Sequence, residues 1–191
     1  MPADFQLVQG DTSPVLGSIL SYSNGNPVDL TGNLVYMNGN GIYGDPTTTS
    51  ISASGSDVYV TGFESTTTGE PVAIYWKNGS PVFLSTDSIQ GSTANAVFVS
   101  GTDVYIAGWQ NIGNYSRAIL WKNGTPDTLT SGTTASVATS VFVYGSDVYV
   151  AGYTWVLGGY DIATYWKNGA IVNLSSGTQN AVAYSISVQP Q

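Results

Sequence analysis

Gly101-Thr102-Asp103-Val104-Tyr105-Ile106-Ala107-Gly108, followed by Leu120-Trp121-Lys122-Asn123-Gly124, decides the fold, because the chain writes this pattern three times. Asp57-Val58-Tyr59-Val60 and Asp147-Val148-Tyr149-Val150 flank the central Asp103-Val104-Tyr105-Ile106 at separations of 46 and 44 residues. Each Asp follows Gly-Ser or Gly-Thr, and Gly62, Gly108 and Gly152 stand five residues beyond it. Tyr75-Trp76-Lys77-Asn78-Gly79 and Tyr165-Trp166-Lys167-Asn168-Gly169 repeat the second motif with tryptophans 45 apart, and Leu84, Leu129 and Leu174 each follow the Asn by six. Such a period marks a repeat architecture, in which each unit buries its apolar faces against its neighbours.

Each unit resolves into four strand-like runs, at 96–100, 103–109, 117–121 and 125–130 in the central one. Gly101-Thr102-Asp103 reads as the first turn, with Gly at positive φ and Asp bonding nearby backbone N–H groups. Asn123-Gly124 reads as the last, because a type I′ hairpin needs positive φ at both central residues. Runs such as Val141-Phe142-Val143 and Val148-Tyr149-Val150 are apolar on both alternating faces and expect cover on both. Four antiparallel strands in about 45 residues, stacked face to face, predict an all-β fold, a β-propeller of four-stranded antiparallel blades.

The ends of the chain carry complementary pieces of a further unit. Asp4-Phe5-Gln6-Leu7 aligns with the Asp-Val-Tyr-Val position, Ile19-Leu20-Ser21-Tyr22-Ser23-Asn24-Gly25 with the Trp-Lys-Asn-Gly hairpin, and Leu30 follows Asn24 by six. Ala183-Tyr184-Ser185-Ile186-Ser187-Val188 matches the first strand of a unit and stops there. Residues 1–191 are therefore expected to form a single propeller domain of about four blades. One blade would be composite, with its first strand from 181–188 and three from 4–30, so that pairing the termini removes exposed edges. A larger ring assembled from several chains stays open. Residues 31–50, with Gly39, Gly41, Gly44 and Pro46, read as an insertion loop.

Composition narrows the function. Charged residues are 8% against 12% aromatics, the reverse of a disordered chain. A net charge of −8, with four basic residues in all, repels a phosphate backbone and argues against a nucleic-acid partner. The chain has no Cys and no His, which removes disulfides, thiol chemistry and the commonest general base and zinc ligand. No apolar run is long enough to span a membrane. The opening Met1-Pro2-Ala3-Asp4-Phe5-Gln6 has no signal-peptide character, although a mature chain with its leader removed would look the same.

Phe5-Gln6-Leu7-Val8-Gln9-Gly10-Asp11-Thr12-Ser13-Pro14, continued by Asn24-Gly25-Asn26-Pro27-Val28-Asp29-Leu30-Thr31-Gly32, resembles the start of the phage baseplate upper protein N-terminal domain family. The resemblance covers about a fifth of the chain and implies a small β-sandwich used in tail assembly, within residues 1–40. Here the Gly-rich stretch and the repeats replace that family's further strands. A separate sandwich and a composite blade thus compete for the same residues. The Trp-Lys-Asn-Gly units also resemble bacterial propeller repeats, which bears on fold and says little about activity.

Candidate sites follow from what recurs and what does not. Trp76, Trp121 and Trp166 recur in every unit and read as packing between blades, against the alternative of a sugar-stacking ring. Asp57, Asp103 and Asp147 read as turn formers, because a single carboxylate per turn falls far short of a calcium loop. Lys77, Lys122 and Lys167 read as solvated hairpin residues. Trp109 and Trp155, with Tyr153, are the candidate ligand-binding residues, since variable loops on a fixed scaffold carry recognition. Glu64, Glu70 and Asp161 are the remaining acids for a glycosidase-like pair, and nothing in their spacing requires convergence.

The expectation is a protein with no catalytic residues, metal or cofactor: a virion structural and assembly protein of a tailed phage, from tail, baseplate or fibre. It would act as a homo-oligomer within an assembly, with other virion proteins or host-surface glycans or proteins as partners. The alternative is a secreted or cell-surface lectin-like propeller that binds glycans.

Overall fold

The computed structural model describes residues 21–23, 26–28, 47–66, 69–85, 91–131, 134–155 and 158–189. These contain no helix. A short hairpin, β1 (Ser21–Ser23) and β2 (Asn26–Val28), precedes three four-stranded sheets. The first sheet comprises β3 (Thr47–Ser54), β4 (Asp57–Ser65), β5 (Pro71–Lys77) and β6 (Ser80–Phe83). The second comprises β7 (Ser92–Ser100), β8 (Asp103–Ile112), β9 (Tyr115–Lys122) and β10 (Thr125–Thr128). The third comprises β11 (Ala135–Tyr144), β12 (Asp147–Trp155), β13 (Ile162–Lys167) and β14 (Ala170–Asn173). Each sheet is an antiparallel meander in chain order, as the four runs per repeat predict.

The turns follow from local chemistry. Asn78, Asn123 and Asn168 sit at φ 51°, 52° and 49°, followed by Gly79, Gly124 and Gly169 near 80°, the left-handed pair that a two-residue hairpin demands. The N-terminal hairpin has the same register. Ser23 pairs with Asn26 and Tyr22 with Pro27, as Lys77 pairs with Ser80 and Trp76 with Pro81. Thr47 to Ser50 belong to β3, so the expected insertion loop ends earlier than residue 50. The rest of that loop, residues 4–20 and the segment carrying the phage-like motif beyond Val28 lie outside the described residues.

The core lies between the sheets. Tyr59, Ala73 and Leu84 of the first sheet pack on Val97, Val104, Ile106, Ile119 and Trp121 of the second. Tyr105, Ala107, Ala118 and Leu129 then pack on Val141, Val150 and Trp166 of the third. The second sheet therefore turns one face toward the first and the other toward the third. Val58, Val60, Ile74 and Trp76, the predecessor-facing set of the first sheet, are buried too, and β1 approaches β4. The successor side of the third sheet differs: Leu174 is 59% exposed, whereas Leu84 and Leu129 are 7% and 8% exposed.

Each first strand carries a bulge at the same place, with Thr49, Asn95 and Thr139 as the extra residue. Opposite it stand Gly62, Gly108 and Gly152. A Cβ on any of them would collide with the carbonyl of Thr47, Thr93 or Val137, so the bend that the bulge creates is open only to glycine. The extra residue reaches across to the next unit. Thr49 Oγ1 donates to Ala94 O (2.5 Å) and Asn95 Nδ2 donates to Ala138 O (2.8 Å). Thr139 Oγ1 donates in the same way to Ala183 O (2.6 Å).

This last contact places the C-terminal segment. Ala183 sits against β11 as Ala138 of β11 sits against β7, and Ile186 N–H donates to Ser140 Oγ as Val97 N–H donates to Ser50 Oγ, both at 3.3 Å. The segment therefore lies against β11 as β11 lies against β7. Among the described residues it has no ladder partner of its own.

The inter-sheet tryptophans give a direct test. Trp121→Ala empties a fully buried site and strands the Leu84 carbonyl, which accepts from Trp121 Nε1–H at 3.1 Å. Urea unfolding of this variant is expected to show a loss of about 3–5 kcal/mol. A loss below about 1 kcal/mol would contradict the packing role.

Candidate functional site

The two ends of the units differ in kind. At one end the repeated Asp, Tyr, Lys and Asn join in a single cluster, built three times. Asn78 Oδ1 accepts from Val58 N–H (2.8 Å) and Asn78 N–H donates to Val58 O (2.9 Å). Asn78 Nδ2 donates to Asp57 Oδ1 (2.8 Å), while Lys77 Nζ pairs with Asp57 Oδ2 (2.8 Å) and lies over the Tyr59 ring at 5.4 Å. Asp103, Tyr105, Lys122 and Asn123 repeat this arrangement, as do Asp147, Tyr149, Lys167 and Asn168.

The cluster corrects one expectation and extends another. The Asp carboxylates do not bond the backbone N–H groups of their own turns; they receive side chains from the neighbouring strand and from the hairpin that ends it. The lysines are ion-paired and stacked on tyrosine, with the partner fixed by strand pairing that sets Tyr59 opposite Lys77. Hydrogen bonds from Lys and then Asn hold Asp57, Asp103 and Asp147 below the ordinary carboxylate range. The same Asp partners hold Lys77, Lys122 and Lys167 above the ordinary ammonium range.

Trp76, Trp121 and Trp166 are 2%, 0% and 0% exposed. Trp121 and Trp166 stand between sheets, Trp76 is buried on the first sheet's outer face, and none of the three is free to stack a ligand. Buried hydroxyls reinforce the same interfaces. Ser92 Oγ accepts from Ala73 N–H (2.9 Å) and meets Ser85 Oγ (2.7 Å), and Ser136 serves Ala118 and Thr130 likewise.

The opposite end carries the side chains that vary. Register places Phe63, Trp109 and Tyr153 at one repeat position, directly after the glycine that faces the bulge. Trp109 is therefore the second unit's version of a recurring half-buried aromatic, which the sequence places six residues beyond each repeated Asp. Two residues further on stand Ser65, Asn111 and Trp155, which share nothing chemically. Trp109, Asn111 and Glu70 gather around Gly91, where the first unit meets the second. Asn111 N–H donates to Gly91 O (2.9 Å) and Ser116 Oγ donates to Asn111 Oδ1 (2.9 Å).

In the third unit the rings of Tyr153 and Trp155 stack, with centroids 5.4 Å apart and planes at 23°. Asp161 N–H donates to Asn180 Oδ1 (3.0 Å), and Ala181 N–H donates to Asp161 O (2.9 Å). This pins the loop to the C-terminal segment. Burial, then the neighbouring Asp161 and Tyr184, raises the Tyr153 phenol above its ordinary range. Glu64, half-buried within β4, is raised by burial alone. Glu64 and Glu70 lie in the first unit, Glu70 near Gly91, and Asp161 lies in the third.

Among the described residues no cluster of three or more acids could hold a metal, and no helix is long and apolar enough to cross a membrane. No family model matches the chain, and no match was found among curated proteins or solved structures.

The Asp–Lys ties predict a pH profile. Depressed Asp values mean that the ties contribute above the ordinary carboxylate range and are lost as pH falls through and below it. Raised Lys values mean that they contribute below the ordinary lysine range and are lost as pH rises through and beyond it. The thermal midpoint is expected to be flat between these limits and to fall outside both. Added salt should reduce the plateau slightly, because the pairs are exposed. A triple Asp57→Asn, Asp103→Asn, Asp147→Asn variant that kept the full acid-side drop would refute the assignment.

Proposed function

We propose that this chain is a non-enzymatic β-propeller that acts by binding and assembly, closed by a fourth, composite blade and serving in the tail of a phage. The observation that carries the reading is the contrast between the two ends of the sheets. The repeated polar side chains are spent on ties within and between units, whereas the opposite end varies and is rich in aromatics. A scaffold with one invariant and one variable end is suited to recognition.

Closure is supported from both sides. Ala183 and Ile186 hang on β11 by the bonds that a first strand makes, and β1–β2 keeps the hairpin register of the repeats. A blade formed from 4–30 and 181–188 would cover Leu174 and complete the sheet that the C-terminal strand begins. Placement in a virion rests on the likeness of residues 5–32 to the baseplate family. Antiserum to the chain should then label purified tailed-phage particles, and recovery solely as a free monomer absent from particles would overturn that placement. The lectin-like alternative draws on the aromatic end.

Deletion of residues 184–191 tests the closure. The truncated chain is expected to lose cooperative unfolding, because the fourth blade loses its first strand and β11 loses its neighbour. A melting curve unchanged from the full chain would refute it.

A further inference from the structure

We propose that Tyr153 and Trp155 of the third unit, with Tyr184 and Asp161 beside them, form a stacking site for a neutral sugar. This rests on reading the variable end as the recognition face and goes on to name its ligand.

The first ground is position. Residues i and i+2 of a strand share a face, and on β12 the half-buried rings of Tyr153 and Trp155 stack on each other, so that each keeps one ring face not spent on its neighbour. In the other units the second of these positions is Ser65 or Asn111, and Asn111 holds the loop to Gly91 and Ser116. Trp155 replaces a polar brace with a flat apolar ring.

The second ground is Tyr184. It stands at the bulge position of the fourth first strand, where Thr49, Asn95 and Thr139 each reach across to the following unit. A phenol cannot copy that short link, and Tyr184 is instead 77% exposed, near enough to Tyr153 to act on its phenol. Tyr160, in the adjoining loop, is exposed as well. An exposed aromatic at a position that is structural elsewhere is a departure the repeat does not require.

The third ground is charge. The chain has four cations. Lys77, Lys122 and Lys167 are held in the ties at the far end, and Arg117 Nη1 donates to the Thr130 carbonyl at 3.3 Å. Strand register, with Thr154 opposite Ile162, sets Asp161 beside Trp155, and the three lysines are held elsewhere. Phosphate, sulfate and carboxylate ligands would be repelled. A carboxylate accepts hydroxyl donors, and aromatic faces take the apolar face of a ring. Flat apolar contact joined to hydroxyl recognition, with anions disfavoured, describes an uncharged pyranose.

The experiment is titration calorimetry of the full chain with neutral gluco-, galacto- and manno-oligosaccharides, beside sialylated and sulfated counterparts. At least one neutral series should bind, and its anionic counterpart should bind more weakly. Trp155→Ala should weaken binding by about tenfold or more, with Trp155→Phe close to the parent. Tyr184→Ala should also weaken it, and its exposure keeps folding out of the comparison. Two outcomes overturn the proposal: no neutral sugar binding by any of these series, or binding indifferent to both Trp155→Ala and Tyr184→Ala. Binding lost with Trp109→Ala and retained in those two variants would leave the recognition face standing and move the site to the second unit. Binding indifferent to all three would remove both.

Discussion

A sheet that is apolar on both faces has no stable existence alone, and the rest of this protein follows from that constraint. β4, β8 and β12 carry β-branched and aromatic residues on successive positions, so each sheet must be covered twice. The chain meets the demand by stacking copies of one unit. Val104, Ile106 and Trp121 cover the unit before, while Tyr105, Ala107 and Leu129 meet the unit after. Such an arrangement propagates, and at its ends it leaves two faces that need partners. The buried Val58–Trp76 face and the exposed Leu174 are those two ends.

Apolar stacking alone would let the sheets slide, and the polar side chains at the interfaces supply the register. Thr49, Asn95 and Thr139 each project from a bulge to a carbonyl of the next first strand, and the bulge exists because a glycine lies opposite it. Ser92 and Ser136 satisfy backbone N–H groups of the preceding unit inside the same interface. Buried polar groups of this kind cost stability unless paired, and once paired they hold one relative placement above others. The Trp121 indole reaches the Leu84 carbonyl, while the Trp166 indole nitrogen, equally buried, has no partner among the described residues. The interfaces are thus alike in shape without being alike in every bond.

Division of labour between the two ends of the units is the consequence for function. The Asp–Lys–Asn end is the same three times because it closes three strands together. The other end is released from that task, and there the units diverge into Glu70 and Asn111, Trp109, and the Tyr153–Trp155 pair.

Repeat number, strand count, hairpin positions and the buried tryptophans were all determined by the sequence, because each depends on local periodicity or on turn chemistry within a few residues. The likeness of the C-terminal segment to a first strand was legible on the same basis. Only the tertiary structure decided that Asp57 belongs to Asn78 and Lys77 and that Thr139 reaches Ala183. Those relations join neighbouring strands or neighbouring units. They depend on which strand edges meet and where one extra residue shifts the register, and a bulge leaves no mark in the pattern of apolar residues that the strands present.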